Sequence, residues 1–236
     1  MNQGWEVIEY ICKRVVEPID NALLCERLHV IPGGSVDAQL ATITSKVSLW
    51  RDTPLPQLRE LLLVSTARRV NTGDILFEKG DYSTAFFTIV EGGVDIQVAP
   101  GQTVKRQGGD FFGEMSLLSD VPRSATVTAT EETILIETPR HALLKLMDAV
   151  PAVKQSLEQQ WIPRALHMYL YPPLSARVFL SLAAKATLQT FKKGEVIFRE
   201  GEPGDAIYII CGGVIKLSTM DASGKELVIA YRSIRH

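Results

Sequence analysis

Two stretches of this chain repeat one pattern of glycines and apolar residues at a constant spacing of 121 residues. TGDILFEKGDYSTAFFTIVEGGVDIQV, from Thr72, overlays KGEVIFREGEPGDAIYIICGGVIKL, from Lys193, without a gap. Gly73 falls on Gly194, Phe77 on Phe198, Gly80 on Gly201, Ala85 on Ala206, Ile89 on Ile210, Gly92 on Gly213 and Ile96 on Leu217. Such a repeat constrains the fold more than local propensity does, because both stretches are then copies of one unit. Within each, short apolar runs alternate with polar residues and break at glycines, the pattern of short antiparallel strands and tight turns. Several strands at this spacing predict a sandwich or barrel, here a jelly roll.

The stretch FGEMSLLSDVPRSATVTA, residues 112–129, places a glycine, a carboxylate, a helix-capable turn and one arginine between two strand-like segments. Gly113 admits close backbone approach by a ligand. The run from Glu114 to Leu118 can make one helical turn whose free amide N–H groups point at an anion. Arg123 adds a planar, permanently charged fork suited to phosphate. A carboxylate beside a phosphate is repulsive unless it accepts a hydrogen bond from a neutral donor, so Glu114 implies a sugar hydroxyl. No GxxxxGK is present to hold a triphosphate. One arginine and a few amides match a singly charged phosphodiester.

This stretch resembles the phosphate-binding cassette of the cyclic nucleotide-binding domain family, found in the bacterial catabolite activator protein and in the regulatory subunits of cyclic-nucleotide-dependent kinases. The residues that carry the resemblance are Phe-Gly-Glu at 112–114, two leucines, Pro122-Arg123 and the small pair Ser124-Ala125. It implies a mainly β fold with flanking helices (α+β), a jelly-roll β-roll closed by C-terminal helices, with one complete copy and a partial second. It implies a cyclic AMP or cyclic GMP ligand and no other cofactor, held by Gly113, Glu114, Met115, Ser116, Arg123, Ser124 and Ala125. Glu114 would take the ribose 2′-hydroxyl and Arg123 the exocyclic phosphate oxygens, with the amides of Gly113 and Ser116 alongside. Ser124 leaves the choice of base open. Trp161, Tyr169 and Tyr171 lie where the family places an aromatic cap over the base. The side chain of Arg123 is expected to face a solvated pocket.

The chain divides on this reading into an N-terminal helical segment, 1–48, a first cyclic nucleotide-binding domain, 49–168, and a partial second one, 169–236. Apolar spacing predicts helices over residues 55–65, 140–166 and 175–186, and an N-terminal one over 5–19 that Pro18 disturbs at its end. IPGGS at 31–35 reads as a loop before a further helix. In the second copy the offset puts Ile234 where Gly113 stands and carries the partner of Arg123 past His236. That copy is expected to have its first strands and no phosphate site, so one nucleotide binds per protomer. The expected context is a longer two-domain chain.

Charge and motifs weigh against other classes. The formal net charge is −2 and no block of five like charges occurs, which argues against a nucleic-acid surface or a polybasic membrane tail. No apolar run approaches the ~18 residues that span a bilayer, and no secretory signal is visible, so a cytoplasmic protein is expected. Three scattered cysteines suit neither a disulfide framework nor a zinc site. The four histidines are dispersed, and neither HExxH, GxSxG nor a kinase motif set appears, so no enzyme is expected. The expected partners are the cyclic nucleotide and an effector protein or domain, with homodimerisation left open. The alternatives are a nucleotide-independent scaffold of the same fold and a fragment of a transcription regulator. The latter needs a helix-turn-helix where the second repeat stands.

Overall fold

The computed structural model describes residues 16–118, 122–169 and 176–233, except for the side chains at 117, 118, 167–169 and 176. The chain divides into two compact units, Met1–Leu117 with Pro122–Leu157, and Leu118–Val121 with Glu158–His236. Each is described by itself.

The first unit begins with helices α1 (Glu17–Arg27), α2 (Val36–Lys46) and α3 (Leu55–Val64). Pro18 lies in the first turn of α1, where its missing N–H costs nothing. It opens a helix, against the expectation that it disturbs the end of one; most of the segment expected to be helical before it lies outside the described residues. The loop before α2 forms as expected, and Ser35 caps that helix by accepting from the Ala38 N–H at 3.3 Å. Leu24, Leu28, Ile31, Leu40 and Ile43 are buried, and the Gln39 side-chain amide donates to the Leu28 and Ile31 carbonyls.

Eight strands follow, β1 (Thr66–Val70), β2 (Ile75–Phe77), β3 (Phe86–Glu91), β4 (Gly93–Ala99), β5 (Gln102–Gln107), β6 (Phe111–Phe112), β7 (Thr126–Ala129) and β8 (Thr133–Thr138). A short helix, α4 (Met115–Leu118), separates β6 from β7. All pairing is antiparallel, in two four-stranded sheets of order β1-β8-β3-β6 and β2-β7-β4-β5. The inward positions of both sheets form one core: Val70, Phe87, Ile89, Phe112 and Leu135 from the first, and Phe77, Val94, Val127 and Ala129 from the second. β3 is buried on both faces, because Trp50 packs edge-on against Phe86 and aims its indole N–H at Thr88 Oγ1. Arg68 and Arg69 on β1 pair with Glu137 and Glu132, as a solvated strand edge does. Helix α5 (Arg140–Ala149) follows β8.

Helix α6 (Pro151–Tyr169) carries Pro163 inside it, and α7 (Ala176–Lys185) comes next. In the second unit β9 (Val214–Met220) and β10 (Glu226–Ser233) form a two-stranded hairpin. β9 stands 121 residues after β4, end for end. The expectation that this copy has its first strands is corrected: residues 186–213, all described, contain turns and bends but no strand. The partners of β1, β2 and β3 in the first copy are β6, β7 and β8, all later in sequence than β5. Among the described residues, only the pair that is adjacent in sequence forms twice. The hairpin turn also differs, Pro100-Gly101 against Asp221–Lys225. Those three extra residues end the constant offset, so Ile234 is not the counterpart of Gly113.

Candidate functional site

The site is built where β6 ends. Gly113 takes a φ of +83°, which turns the chain out of the sheet and into α4. A Cβ there would lie 2.8 Å from Arg123 Nη1 and 3.0 Å from the Ala85 carbonyl oxygen, so no other residue fits without displacement. Glu114 follows at 5% exposure and Ser116 is buried, its hydroxyl reaching back to the Gly113 carbonyl at 3.3 Å. Arg123 enters from the other side of α4, just before β7, followed by Ser124, half-buried, and Ala125, buried. The main chain of Arg123 is pinned to a turn: its N–H donates to the Asp81 carbonyl at 2.7 Å and its carbonyl accepts from Gly80 at 2.9 Å.

The Arg123 side chain is 3% exposed, which corrects the expectation of a solvated pocket. Its Nε donates to Ser83 Oγ at 2.9 Å and its Nη2 to the Ala85 carbonyl at 2.6 Å. Its Nη1 donates to the Gly113 carbonyl at 3.1 Å and to Ser116 Oγ at 2.9 Å. The guanidinium carbon sits 4.0 Å from the Phe77 ring centroid and 5.6 Å from that of Phe87. Those rings belong to opposite sheets, so the cation closes one end of the core. Burial lowers its pKa to about 10, and the negative charges of Glu114, Glu137 and Asp81 oppose that shift. Arg123 is therefore charged at neutral pH.

The structure brings together Gly113, Glu114, Met115, Ser116, Arg123, Ser124 and Ala125 within one turn and its return strand. It adds Ser83, Ala85, Phe77 and Phe87, which the sequence reading did not place at the site. The loop from Gly80 to Ala85 gave no signal beyond its small and hydroxyl residues, since its role depends on a partner about 40 residues on. Trp161, the first of the expected caps, is 2% exposed on α6, and its indole N–H has no hydrogen-bond partner among the described residues. The Tyr169 side chain and all of Tyr171 lie outside the described residues.

The family model for the cyclic nucleotide-binding domain matches residues 67–150 and 188–233, more than half of the chain and both copies of the repeat. The chain belongs to the cyclic nucleotide-binding domain family. It is similar to the cAMP-dependent protein kinase regulatory subunit of Blastocladiella emersonii, with 22% identity over 198 residues, covering 80% of this chain and 48% of that protein. The corresponding subunit of Yarrowia lipolytica is 26% identical over 167 residues, covering 70% and 44%. The chain thus spans under half the length of these relatives. Among solved structures, the catabolite activator protein of Thermus thermophilus is similar at 26% identity and a TM-score of 0.45, covering 58% of this chain and 62% of that one. The antiparallel sheets with flanking helices are those of the family's β-roll. No described helix is long and apolar enough to cross a membrane, and the described residues contain no cluster that would hold a metal ion.

Proposed function

We propose that this chain is a regulatory, non-catalytic module that binds one cyclic nucleotide monophosphate, cAMP or cGMP, in its first repeat. The observation that carries this reading is a cation held between a glycine turn and a return strand, with the buried Glu114 carboxylate close enough to act on it electrostatically. A charged fork takes a phosphodiester, and a carboxylate one step away takes a hydroxyl on the sugar. The response passes to an effector through α5 and α6, which follow the last strand of the roll. A ligand shifts such an equilibrium only by its differential affinity for the two arrangements.

A second reading is favoured by one observation. Four hydrogen bonds to protein oxygens and an aromatic face hold Arg123 in place from within the chain, as a nucleotide-independent scaffold would require. Calorimetric titration of the full chain with cAMP, cGMP and 5′-AMP separates the two. One-to-one binding of a cyclic nucleotide that 5′-AMP does not match supports the module. No heat with either cyclic nucleotide leaves the scaffold.

A further inference from the structure

A guanidinium has five N–H groups, and those on Nε and Nη2 form one edge of it while Nη1 points away at the far corner. In this protein the edge and the corner are held by different parts of the chain. Ser83 and Ala85, two residues apart in the loop before β3, grip the edge through Ser83 Oγ on Nε and the Ala85 carbonyl on Nη2. The cassette turn grips the corner, through the Gly113 carbonyl and Ser116 Oγ on Nη1. The corner is closed so tightly that a methyl group at Gly113 would approach Nη1 to 2.8 Å. The second Nη2 N–H is outside these four bonds, so a phosphate that takes Nη1 as well must replace the oxygens already on that corner.

Resting on the phosphate reading above, we infer that Ser83 and Ser116 act on ligand affinity in opposite directions. Ser83 is a positioning residue: it fixes the fork against rotation and keeps its bond when the ligand binds. The Ser116 hydroxyl is an internal stand-in for a phosphate oxygen, and the ligand has to displace it. Pre-organising a binding group strengthens binding, while satisfying it in the free protein weakens binding by the exchange. Two serines on one arginine thus tune the site from both sides. A merely structural role for both would move affinity the same way in both variants.

The test is calorimetry of the full chain with cAMP and cGMP, with melting temperatures followed alongside. Ser83→Ala is expected to weaken binding about 3- to 10-fold, the scale of the net contribution of one hydrogen bond, and Ser83→Thr, which keeps the hydroxyl, to restore it. Ser116→Ala keeps the backbone amide and is expected to tighten binding about 3- to 10-fold. Nitrogen-15 spectra of the wild type give a readout independent of any variant's folding. The Arg123 Nε–H should stay protected from solvent exchange at saturation, because Ser83 still holds it. Loss of that protection, equal affinities, or shifts of the same sign overturn the division of labour while leaving the ligand reading intact. A wild-type chain that binds neither nucleotide overturns the ligand reading itself, and this inference with it.

Discussion

In the first repeat Gly73, Gly80 and Gly92 have φ values of +90°, +98° and +83°, and in the second Gly194, Gly201 and Gly213 have +83°, +85° and +78°. Asp74 and Asp81 close their turns by accepting from the Asn71 and Glu78 amides at 2.8 and 2.9 Å. Glu195 and Glu202, at the same places 121 residues later, accept from Lys192 and Arg199 at 2.7 and 2.8 Å. The turns are the same, yet Phe77 is 8% exposed and Phe198 is 57% exposed. A turn closes on groups within three residues, so its own sequence suffices. A strand such as β3 needs β6 and β8, and burial of its side chains waits for both. The repeats separate what a short stretch encodes from what only distant pairing supplies.

The sharpest way to break this comparison is to cut the same ring from each copy. Phe77→Ala removes a ring that touches Phe87, Phe112 and Arg123, and should cost about 3–5 kcal/mol in urea unfolding followed by Trp50 fluorescence with Trp5 and Trp161 replaced by Phe. Phe198→Ala should cost less than ~1 kcal/mol, because that ring is mostly in water.

Arg123 gives the next largest effect. Arg123→Leu should lower cyclic nucleotide affinity at least ~10-fold and also destabilise the first unit by about 2–4 kcal/mol, since it strips partners from buried carbonyls. Arg123→Lys keeps the charge without the fork, so calorimetry should still find weakened binding. The pH dependence has two opposite arms. Because burial sets the folded pKa below the unfolded one, the penalty of the buried charge applies in full below about 10. It is relieved as pH rises from about 10 toward the ordinary arginine value of the unfolded chain, so the contribution of Arg123 to folding rises there. Phosphate affinity should stay level from neutral pH and fall as the charge is lost above about 10.

A smaller contrast comes from paired glycines. Gly92→Ala adds a Cβ only 2.5 Å from the Glu132 carbonyl and Thr133 Oγ1, on top of the strain of a positive φ. It should cost about 2–3 kcal/mol, and Gly213→Ala, with nothing within 4 Å, about 1 kcal/mol. The smallest effects should be equal ones. Asp74→Ala and Glu195→Ala each remove one turn hydrogen bond, and amide exchange at Asn71 and Lys192 should speed up by similar factors, roughly 5-fold for each. Unequal factors would show that the turns, too, depend on the sheets around them.

The same division explains what the sequence made legible. The glycine turns, the helix over 55–64 and the turn from Gly113 into α4 are readable because each depends on residues near one another. The Arg123 environment was not, since Ser83 and Ala85 meet it from about 40 residues upstream. Pro18 was misread because a proline marks a helix start and a helix end alike, and only the following residues decide. The constant offset carries β4 onto β9 end for end and fails at the turn that follows, because spacing arithmetic does not register a hairpin loop that gains three residues.

The pairing of β1 with β8 gives the roll a clock. Thr66 lies opposite Glu137, so the first strand leaves the ribosome roughly 70 residues before its neighbour exists. At translation rates of ~5–20 residues per second that is a wait of several seconds, far longer than the microseconds in which the β4–β5 hairpin can close. During that interval β1, β2 and β3 are open edges attached to a finished hairpin, and the arginine turn arrives just before β7 and β8, the strands that end the wait. The nascent first repeat therefore passes through an arrangement whose β4–β5 hairpin is complete before its first strands are paired, and synthesis of β7 and β8 closes it.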